Sequence, residues 1–234
     1  MIIGINGKIG SGKDTVGKII QYLQCHNTGE ITIEDVISNP EHEWWLEEQS
    51  KFEIKKFAGK LKQTASLLTG VYVEKFEDQE FKQQYMSEEW NNPNPVIYEN
   101  GNKAWMPMTY REFLQKLGTE AMRDGLHTNV WVNALFADYK PSAIRSADSF
   151  DLETYDGKYP NWIITDMRFP NEMEAVELRE GVTIKVVRPG TAVGTHPSET
   201  ALDDAYFDHV ISNDGTIEDL IEKVRQVLTI EGII

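Results

Sequence analysis

Residues 2–15, Ile-Ile-Gly-Ile-Asn-Gly-Lys-Ile-Gly-Ser-Gly-Lys-Asp-Thr, constrain the fold more than any other stretch of the chain. The apolar run from Ile2 to Ile5 predicts a buried strand, and Val16, Ile19, Ile20 and Leu23 recur at the spacing of one helix face. Between them stand Gly7, Gly10 and Gly12, followed at once by Lys13. A strand that turns through glycines into a lysine-led helix can cradle an anion. Glycines let successive backbone N–H groups point inward, and the helix N-terminus adds unsatisfied donors and the positive end of its dipole. Lys13 brings a full charge to the β- and γ-phosphates of a nucleotide. Gly7, Gly12 and Lys13 match G-x-x-x-x-G-K, but Asp14 stands where Ser or Thr usually ligates Mg²⁺, and Thr15 follows it. A carboxylate can hold Mg²⁺ directly or through water, yet beside a triphosphate it also adds repulsion. Thr15 is the alternative donor to a phosphate oxygen. A glycine turn without a ligand is the competing reading, and the agreement of glycine spacing, lysine and flanking pattern weighs against it.

The charge balance narrows the partners. Lys and Arg number 23 against 38 Asp and Glu, a formal net charge of −15. Non-specific nucleic-acid binding needs a basic face that releases counterions, so helicase and DNA-packaging readings lose weight and no nucleic-acid polymer is expected as a partner. Small anionic ligands stay open, because a few cations can converge locally. The single cysteine, Cys25, excludes a disulfide within the chain and fits a reducing cytoplasm. On the first predicted helix it reads as a packed thiol. The five histidines lack zinc-ligand spacing. No apolar stretch approaches the roughly 18 residues of a membrane span, and Ile2–Ile5 is too short for a signal peptide. At 234 residues the chain suits one α/β core with room for an inserted lobe.

Residues 26–50 read as a polar loop with a short helix, Phe52 to Phe57 as a second strand, and Ala58 to Leu68 as a helix stopped by Gly70. Lys55, Lys56, Lys60 and Lys62 form the main basic cluster, and each alone reads equally as solvated surface. Residues 74–90 are strongly charged and are expected to be helical, covering core rather than forming it. Asn91 to Pro107 is turn-rich and reads as a flap, in which Trp105 either stacks on a flat ligand or pins the loop. Thr109 and Glu112 form a capping box that opens a helix running to Arg123. Along it Arg111, Gln115, Thr119 and Arg123 recur every fourth residue, a slowly drifting polar stripe with a guanidinium at each end. Arginine takes phosphate as a bidentate fork, and glutamine can match a base edge with one donor and one acceptor. An exposed face paired with local carboxylates is the alternative.

Thr128 to Tyr139 predicts a helix with Trp131, Leu135 and Phe136 inward, and Lys140 to Pro160 an acidic surface connection. Trp162 to Thr165 predicts a buried strand ending at Asp166, with a helix from Pro170 to Gly181. A carboxylate after an apolar strand is where a phosphate-loop enzyme places its second metal-side group; a helix cap is the ordinary alternative. Arg168 is a candidate clamp for a phosphoryl group in transfer. Val182 to Val187 predicts the next strand, closed by Arg188. Residues 189–207 occupy the place of a lid and contain no Lys or Arg, so Arg168 and Arg188 must supply charge there, or the loop only excludes water. Asp208 to Ile211 predicts a last strand. Asn213 to Thr216 then caps a helix carrying Ile217, Leu220, Ile221, Val224 and Leu228 in phase. Asn213 is a candidate adenine contact, with turn formation the alternative.

Six short motifs follow one another across nearly the whole chain: Gly10-Ser-Gly-Lys-Asp-Thr15, Phe57-Ala-Gly-Lys-Leu-Lys62, Leu114-Gln-Lys-Leu-Gly-Thr-Glu120 with Arg123, Thr165-Asp-Met-Arg-Phe-Pro-Asn-Glu172, His196-Pro-Ser-Glu199 and Ser212-Asn-Asp-Gly-Thr216. In that order they resemble the P-loop nucleoside-monophosphate kinase group, and within it the phage-type deoxynucleoside monophosphate kinases, whose Gly-Lys-Asp loop Asp14 shares. The resemblance implies an α/β fold, a P-loop kinase three-layer sandwich with a parallel central sheet, an inserted helical substrate lobe and a lid loop. It implies a single kinase domain over residues 1–234, with the lobe at 58–127 and the lid at 189–207. The implied reaction moves the γ-phosphoryl group of ATP to a deoxynucleoside monophosphate. Lys13, Asp166 and Arg168 would be catalytic. Gly7, Gly10, Ser11, Gly12, Lys13, Asp14, Thr15, Arg188 and Asn213 would hold ATP, and Asp14, Thr15 and Asp166 would serve Mg²⁺. Lys62, Arg111, Gln115, Thr119, Arg123 and Trp131 would hold the acceptor. Small nucleotides are the expected partners, with no membrane; the family suggests a homodimer and a cytoplasmic setting, the host's if the gene is a phage's. Two rivals share parts of this pattern. A kinase of another small phosphorylated metabolite, resembling phosphomevalonate kinases, shares the Gly-Lys-Asp loop, though Gln115 and the aromatic side chains favour an acceptor with a base. A non-catalytic ATP-binding regulatory protein is the other; it has no need of a second anion site such as Arg111 and Arg123 provide.

Overall fold

The computed structural model describes residues 1–25, 29, 31–141, 143–144, 154–155, 157–191 and 197–234. They form two compact units, Met1–Phe57 with Leu135–Ile234, and Ala58–Ala134. In chain order the helices are α1 (Lys13–Leu23), α2 (Ile33–Ser38), α3 (Glu43–Gln49), α4 (Phe57–Thr69) and α5 (Gln79–Gln83), then α6 (Tyr110–Gln115), α7 (Val130–Phe136), α8 (Pro170–Glu177), α9 (Pro197–Thr200) and α10 (Ile217–Ile230).

The first unit is built on a five-stranded sheet of β1 (Ile2–Gly7), β2 (Phe52–Lys55), β3 (Asn161–Ile164), β4 (Val182–Val187) and β5 (His209–Ser212), in the order β2-β3-β1-β4-β5. All neighbours run parallel, with Ile3 level with both Ile163 and Val182, and Ile54 level with Ile163. A parallel sheet is covered on both faces, which is why its strands read as unbroken apolar runs. On one face Ile3, Ile5, Ile163 and Ile184 pack with Val16, Ile19 and Ile20 of α1 and Leu220, Val224 and Leu228 of α10. On the other, Gly4 lies against Val176 of α8 and Met167. The result is the expected three-layer α/β sandwich. Each such side chain contributes roughly 1.5–3 kcal/mol when fully buried. β1 is central and the strand order reverses about it, so the crevice beyond its carboxyl end is where an open α/β sheet takes ligands.

The second unit packs Ala65, Phe76, Met86, Met108 and Phe113 together, with Phe81 and Tyr110 stacked 4.4 Å apart. The Thr109–Glu112 capping box forms as the spacing predicts. Residues 74–90 differ from the expected helix. They break into short 3₁₀ turns, Val73–Phe76 and Glu88–Trp90, on either side of α5. Asp78 caps α5 by accepting from the N–H groups of Glu80 and Phe81, while Phe76 and Met86 turn into the core instead of lying on one helical face. The turn-rich stretch that follows holds a two-stranded ribbon, Val96–Ile97 against Lys103–Ala104. The helix from Tyr110 also departs from expectation, because Lys116–Asp124 is π-helical. Its backbone bonds reach one residue further than in an α-helix, so four residues fall short of a turn. The stripe overshoots a turn from Arg111 to Gln115 and undershoots through Thr119 to Arg123. Its drift is turned back, and the four residues stay nearer one face than α geometry allows.

Two connections also carry more order than expected. Residues 31–50 form two helices and a 3₁₀ turn where one short helix was expected. In the expected surface connection, Ala143 and Ile144 pair antiparallel with Tyr155 and Thr154. Of the expected lid at 189–207, residues 192–196, including His196, lie outside the described residues.

Candidate active site

Parallel strands end along one edge, and a residue of interest follows each end: Lys8 after β1, Lys56 after β2, Thr165 and Asp166 after β3, Arg188 after β4 and Asn213 after β5. Gly10 and Gly12 hold φ values of +79° and +94°, left-handed backbone that suits glycine. A Cβ on Gly12 would also sit 2.4 Å from Asn213 Nδ2. That amide donates to the carbonyl of Ser11 at 2.8 Å, so Asn213 braces the loop. Ser11 Oγ is buried without a protein hydrogen-bond partner. An orphaned buried hydroxyl costs about 1–3 kcal/mol, a penalty that a phosphate oxygen seated on the loop would remove.

Lys13 opens α1 and is 9 % exposed. Burial lowers its ammonium below the ordinary 10.5 against the pull of Asp14; Arg168 adds to the lowering, while Glu199 and Asp166 oppose it. Asp14 Oδ1 accepts from Thr165 Oγ1 at 3.0 Å and lies 3.3 Å from Lys56 Nζ. Partial desolvation works against its charge, yet Lys56, Lys13 and the Thr165 hydroxyl hold the carboxyl below its usual range. The two lysines therefore offset the repulsion that a carboxylate at this place would bring to a polyphosphate. Thr15 lies half-buried in the first turn of α1. Asp166 Oδ1 accepts from the N–H of Phe57 at 2.8 Å, the first residue of α4. It thus serves a helix start distant in sequence, not that of α8, which follows it.

Arg168 is fixed from two sides. Its backbone N–H donates to Glu172 Oε2 at 2.7 Å, as does that of Phe169 at 3.1 Å. Asn6 Nδ2 donates to the carbonyl of Met167 at 2.8 Å. Its guanidinium Nη1 makes a charged hydrogen bond to Glu199 Oε1. Arg188 is exposed and lines a cleft of about 150 Å³ beside the loop, with Asn6, Lys8, Lys185 and Asp203. Thr165, Asn6, Glu172, Glu199 and Lys56 are among the residues that sequence reasoning left out of the site. Glu172 carried a signal, since a glutamate three places after Phe169, with Pro170 between, marks a helix start. Glu199 stood in a quoted motif and Lys56 in the basic cluster, but their partners are distant in sequence and nothing in the chain marked the contacts they make.

In the second unit, Arg111 Nη2 donates to Gln79 Oε1 at 2.8 Å. With the Gln83 amide oxygen facing the guanidinium, it accepts from Arg111 Nε at 2.8 Å. Two neutral amides orient Arg111 without cancelling its charge. Burial lowers the Lys82 ammonium, and the nearby charges of Lys62 and Arg111 lower it further against Glu77 and Asp78. Lys62 itself pairs with Glu77. Cations thus gather here in a chain of net charge −15. Gln115 and Thr119 are exposed and Arg123 is half-buried. Trp131 is buried, and its Nε1 donates to the carbonyl of Gly118 at 2.9 Å, so it supports the π-helical turn from behind. Trp105 is 55 % exposed and does not pin its loop to a core. Among the described residues, no helix is long and apolar enough to cross a membrane.

A protein-family model described as deoxynucleotide monophosphate kinase matches residues 38–224. The phosphate loop lies before that stretch and is evidence of its own. Over 166 residues the chain is 30% identical to the deoxynucleotide monophosphate kinase of Enterobacteria phage T4, covering 70% of this chain and 61% of that protein. Over 241 residues it is 27% identical to the deoxynucleoside-5'-monophosphate kinase of Escherichia phage T5, covering 91% and 89%. The match to the deoxynucleotide monophosphate kinase of Escherichia phage RB69 is 28% identical over 130 residues and covers 55% and 47%. The chain therefore spans less than two thirds of the phage T4 and RB69 proteins and most of the phage T5 protein.

Proposed function

The chain belongs to the deoxynucleotide monophosphate kinase family, and from that premise we propose that it transfers the γ-phosphoryl group of ATP to a deoxynucleoside monophosphate, giving ADP and a deoxynucleoside diphosphate. The observation that carries the reading is the gathering of Lys13, Asp14, Asp166 and Arg168 at one end of the sheet, around a loop shaped for an anion. Lys13, Ser11 and the loop N–H groups hold the donor phosphates, with Gly7, Gly10 and Gly12 allowing their close approach. Arg188 reaches the donor from the end of β4, and Asn213 keeps the loop in shape. Arg111, helped by Lys62 and Arg123, grips the acceptor phosphate; Gln115 and Thr119 face its nucleoside, backed by Trp131. An acceptor phosphate oxygen attacks the γ-phosphorus as the bond to the ADP oxygen breaks. The nucleophile is already an anion, so no general base is required. Arg168 stabilises charge on the phosphoryl group as it moves.

Asp14, Thr15 and Asp166 would hold Mg²⁺, since they offer the hard oxygen ligands that it prefers, and one or two carboxylates beside a nucleotide's phosphates are its usual setting. When bound, the ion would supply neutralisation of the donor-phosphate charge. Thr165 and Lys56 hold Asp14 through its Oδ1, and Asp14 would be one of the residues that hold the ion. The reaction belongs to a cytoplasm, where ATP is present and Cys25 meets no demand for a disulfide.

The deciding experiment measures ADP release from Mg²⁺–ATP with each deoxynucleoside and ribonucleoside monophosphate in turn. Turnover with deoxynucleotides is the expected result and ranks the bases. If ADP binds but no nucleotide is phosphorylated, the acceptor is another metabolite or the protein only binds nucleotide.

Lys13 adds a pH signature. Burial has already lowered its ammonium, and bound phosphates would raise it again. Affinity for ADP is therefore expected to fall as pH climbs toward the lowered value, and binding at alkaline pH to take up protons. Calorimetry in two buffers of different ionisation heat checks this. The absence of uptake would mean that Lys13 does not meet the phosphates.

A further inference from the structure

Glu199 reaches both the phosphate loop and Arg168. Its side chain is only 9 % exposed. One carboxylate oxygen takes the Arg168 guanidinium, and the other accepts from the N–H of Ile9 at 3.4 Å. Ile9 lies inside the loop between Gly7 and Gly12, and the charge of Glu199 is also felt at Lys13. The segment behind it is anchored: Lys8 Nζ lies 3.4 Å from Asp203 Oδ2, and Lys185 Nζ donates to the carbonyls of Leu202 at 3.1 Å and Asp203 at 2.8 Å. A guanidinium and a loop N–H are the donors that an anionic phosphate oxygen would use. Here a nearly buried carboxylate has them, and such a group is stable only while paired.

We propose that Glu199 is a positioning residue that stands in for a donor-phosphate oxygen: without nucleotide it holds Arg168 and the Ile9 N–H in place, and nucleotide binding displaces it. The inference rests on the reading of Lys13 and Arg168 as the donor site. Two consequences follow from the charge alone. Arg168 is kept aligned yet neutralised until a phosphate arrives, so stray anions find no open guanidinium. Nucleotide binding is opposed in proportion to the time that Glu199 occupies the donors.

Glu199→Gln tests this. The amide keeps the size and an acceptor for the Ile9 N–H, but not the charge that competes for Arg168. The expected result is binding of ADP and of inorganic phosphate about tenfold tighter than in the wild type, measured by calorimetry. A residue with a merely structural role would instead weaken ADP binding and lower Tm. Unchanged or weaker binding by the variant overturns the proposal. Should that variant fail to fold, Glu199→Asp keeps the charge but is too short to span both donors. Tighter ADP binding is again expected, and unchanged or weaker binding again overturns the proposal. If the wild-type protein binds no ADP at all, the donor-site reading fails first and takes the inference with it. Tight wild-type binding with no gain in either variant removes the inference alone.

Discussion

Lys13→Ala is expected to lower kcat/KM about 10³-fold, the equivalent of roughly 4 kcal/mol of stabilisation of the phosphates in flight, without lowering Tm. The two halves of that result come from the same burial. Lys13 is 9 % exposed and desolvation holds its ammonium below the ordinary value, so the folded protein disfavours the charged form. A lysine whose folded value is depressed costs stability wherever it stays charged, and alanine removes that cost. The charge is kept at the mouth of a loop where Ser11 Oγ also lacks a protein partner. Both groups gain from an anion, and neither is needed to hold the sheet together. Thermal melting beside an ADP-release assay checks the split. A variant that melts early in step with its loss of activity would make Lys13 a residue of the fold and not of the reaction.

The difference between what could be read and what could not follows the distance over which each feature is decided. The loop is decided locally, by glycine at positive φ and a lysine at a helix start. The strands are decided by burial on both faces, which leaves the apolar runs at Ile2, Trp162 and Val182 visible in the chain itself. Asp14, Asp166 and Arg168 could be singled out as side chains but not by what holds them. The Asp14 partner is Thr165, the Asp166 partner is the N–H of Phe57, and Arg168 is met by Glu199, each contact made by chain folding back from far away. Asn213 shows the same limit, since it could be singled out at a strand end but its bond to the Ser11 carbonyl could not. In the second unit the fourfold spacing of the stripe was plain. The π-helical widening was not, because it answers to packing around Gly118 and Trp131. Charge hid Phe76 and Met86, two core residues set among glutamates and lysines.

Arg168→Ala is expected to lower kcat about 10³-fold, as the loss of an arginine that stabilises a moving phosphoryl group typically does, while ADP affinity stays within a few-fold of the wild type. The expectation rests on how the residue is held. Glu172 fixes its backbone and Asn6 fixes that of Met167, so truncating the side chain leaves the turn after β3 intact. The guanidinium is engaged by Glu199, so in the empty protein it does not act as an open attractant for anions, and ground-state binding loses little when it is removed. What is lost is a planar fork beside Lys13 that meets charge as the γ-phosphorus leaves one oxygen for another. Arg168→Lys keeps the charge without the fork and is expected to recover only part of kcat. Steady-state kinetics with ADP binding measured separately distinguish the outcomes. Equal losses in turnover and ADP affinity would place Arg168 in donor binding and not in the transfer step.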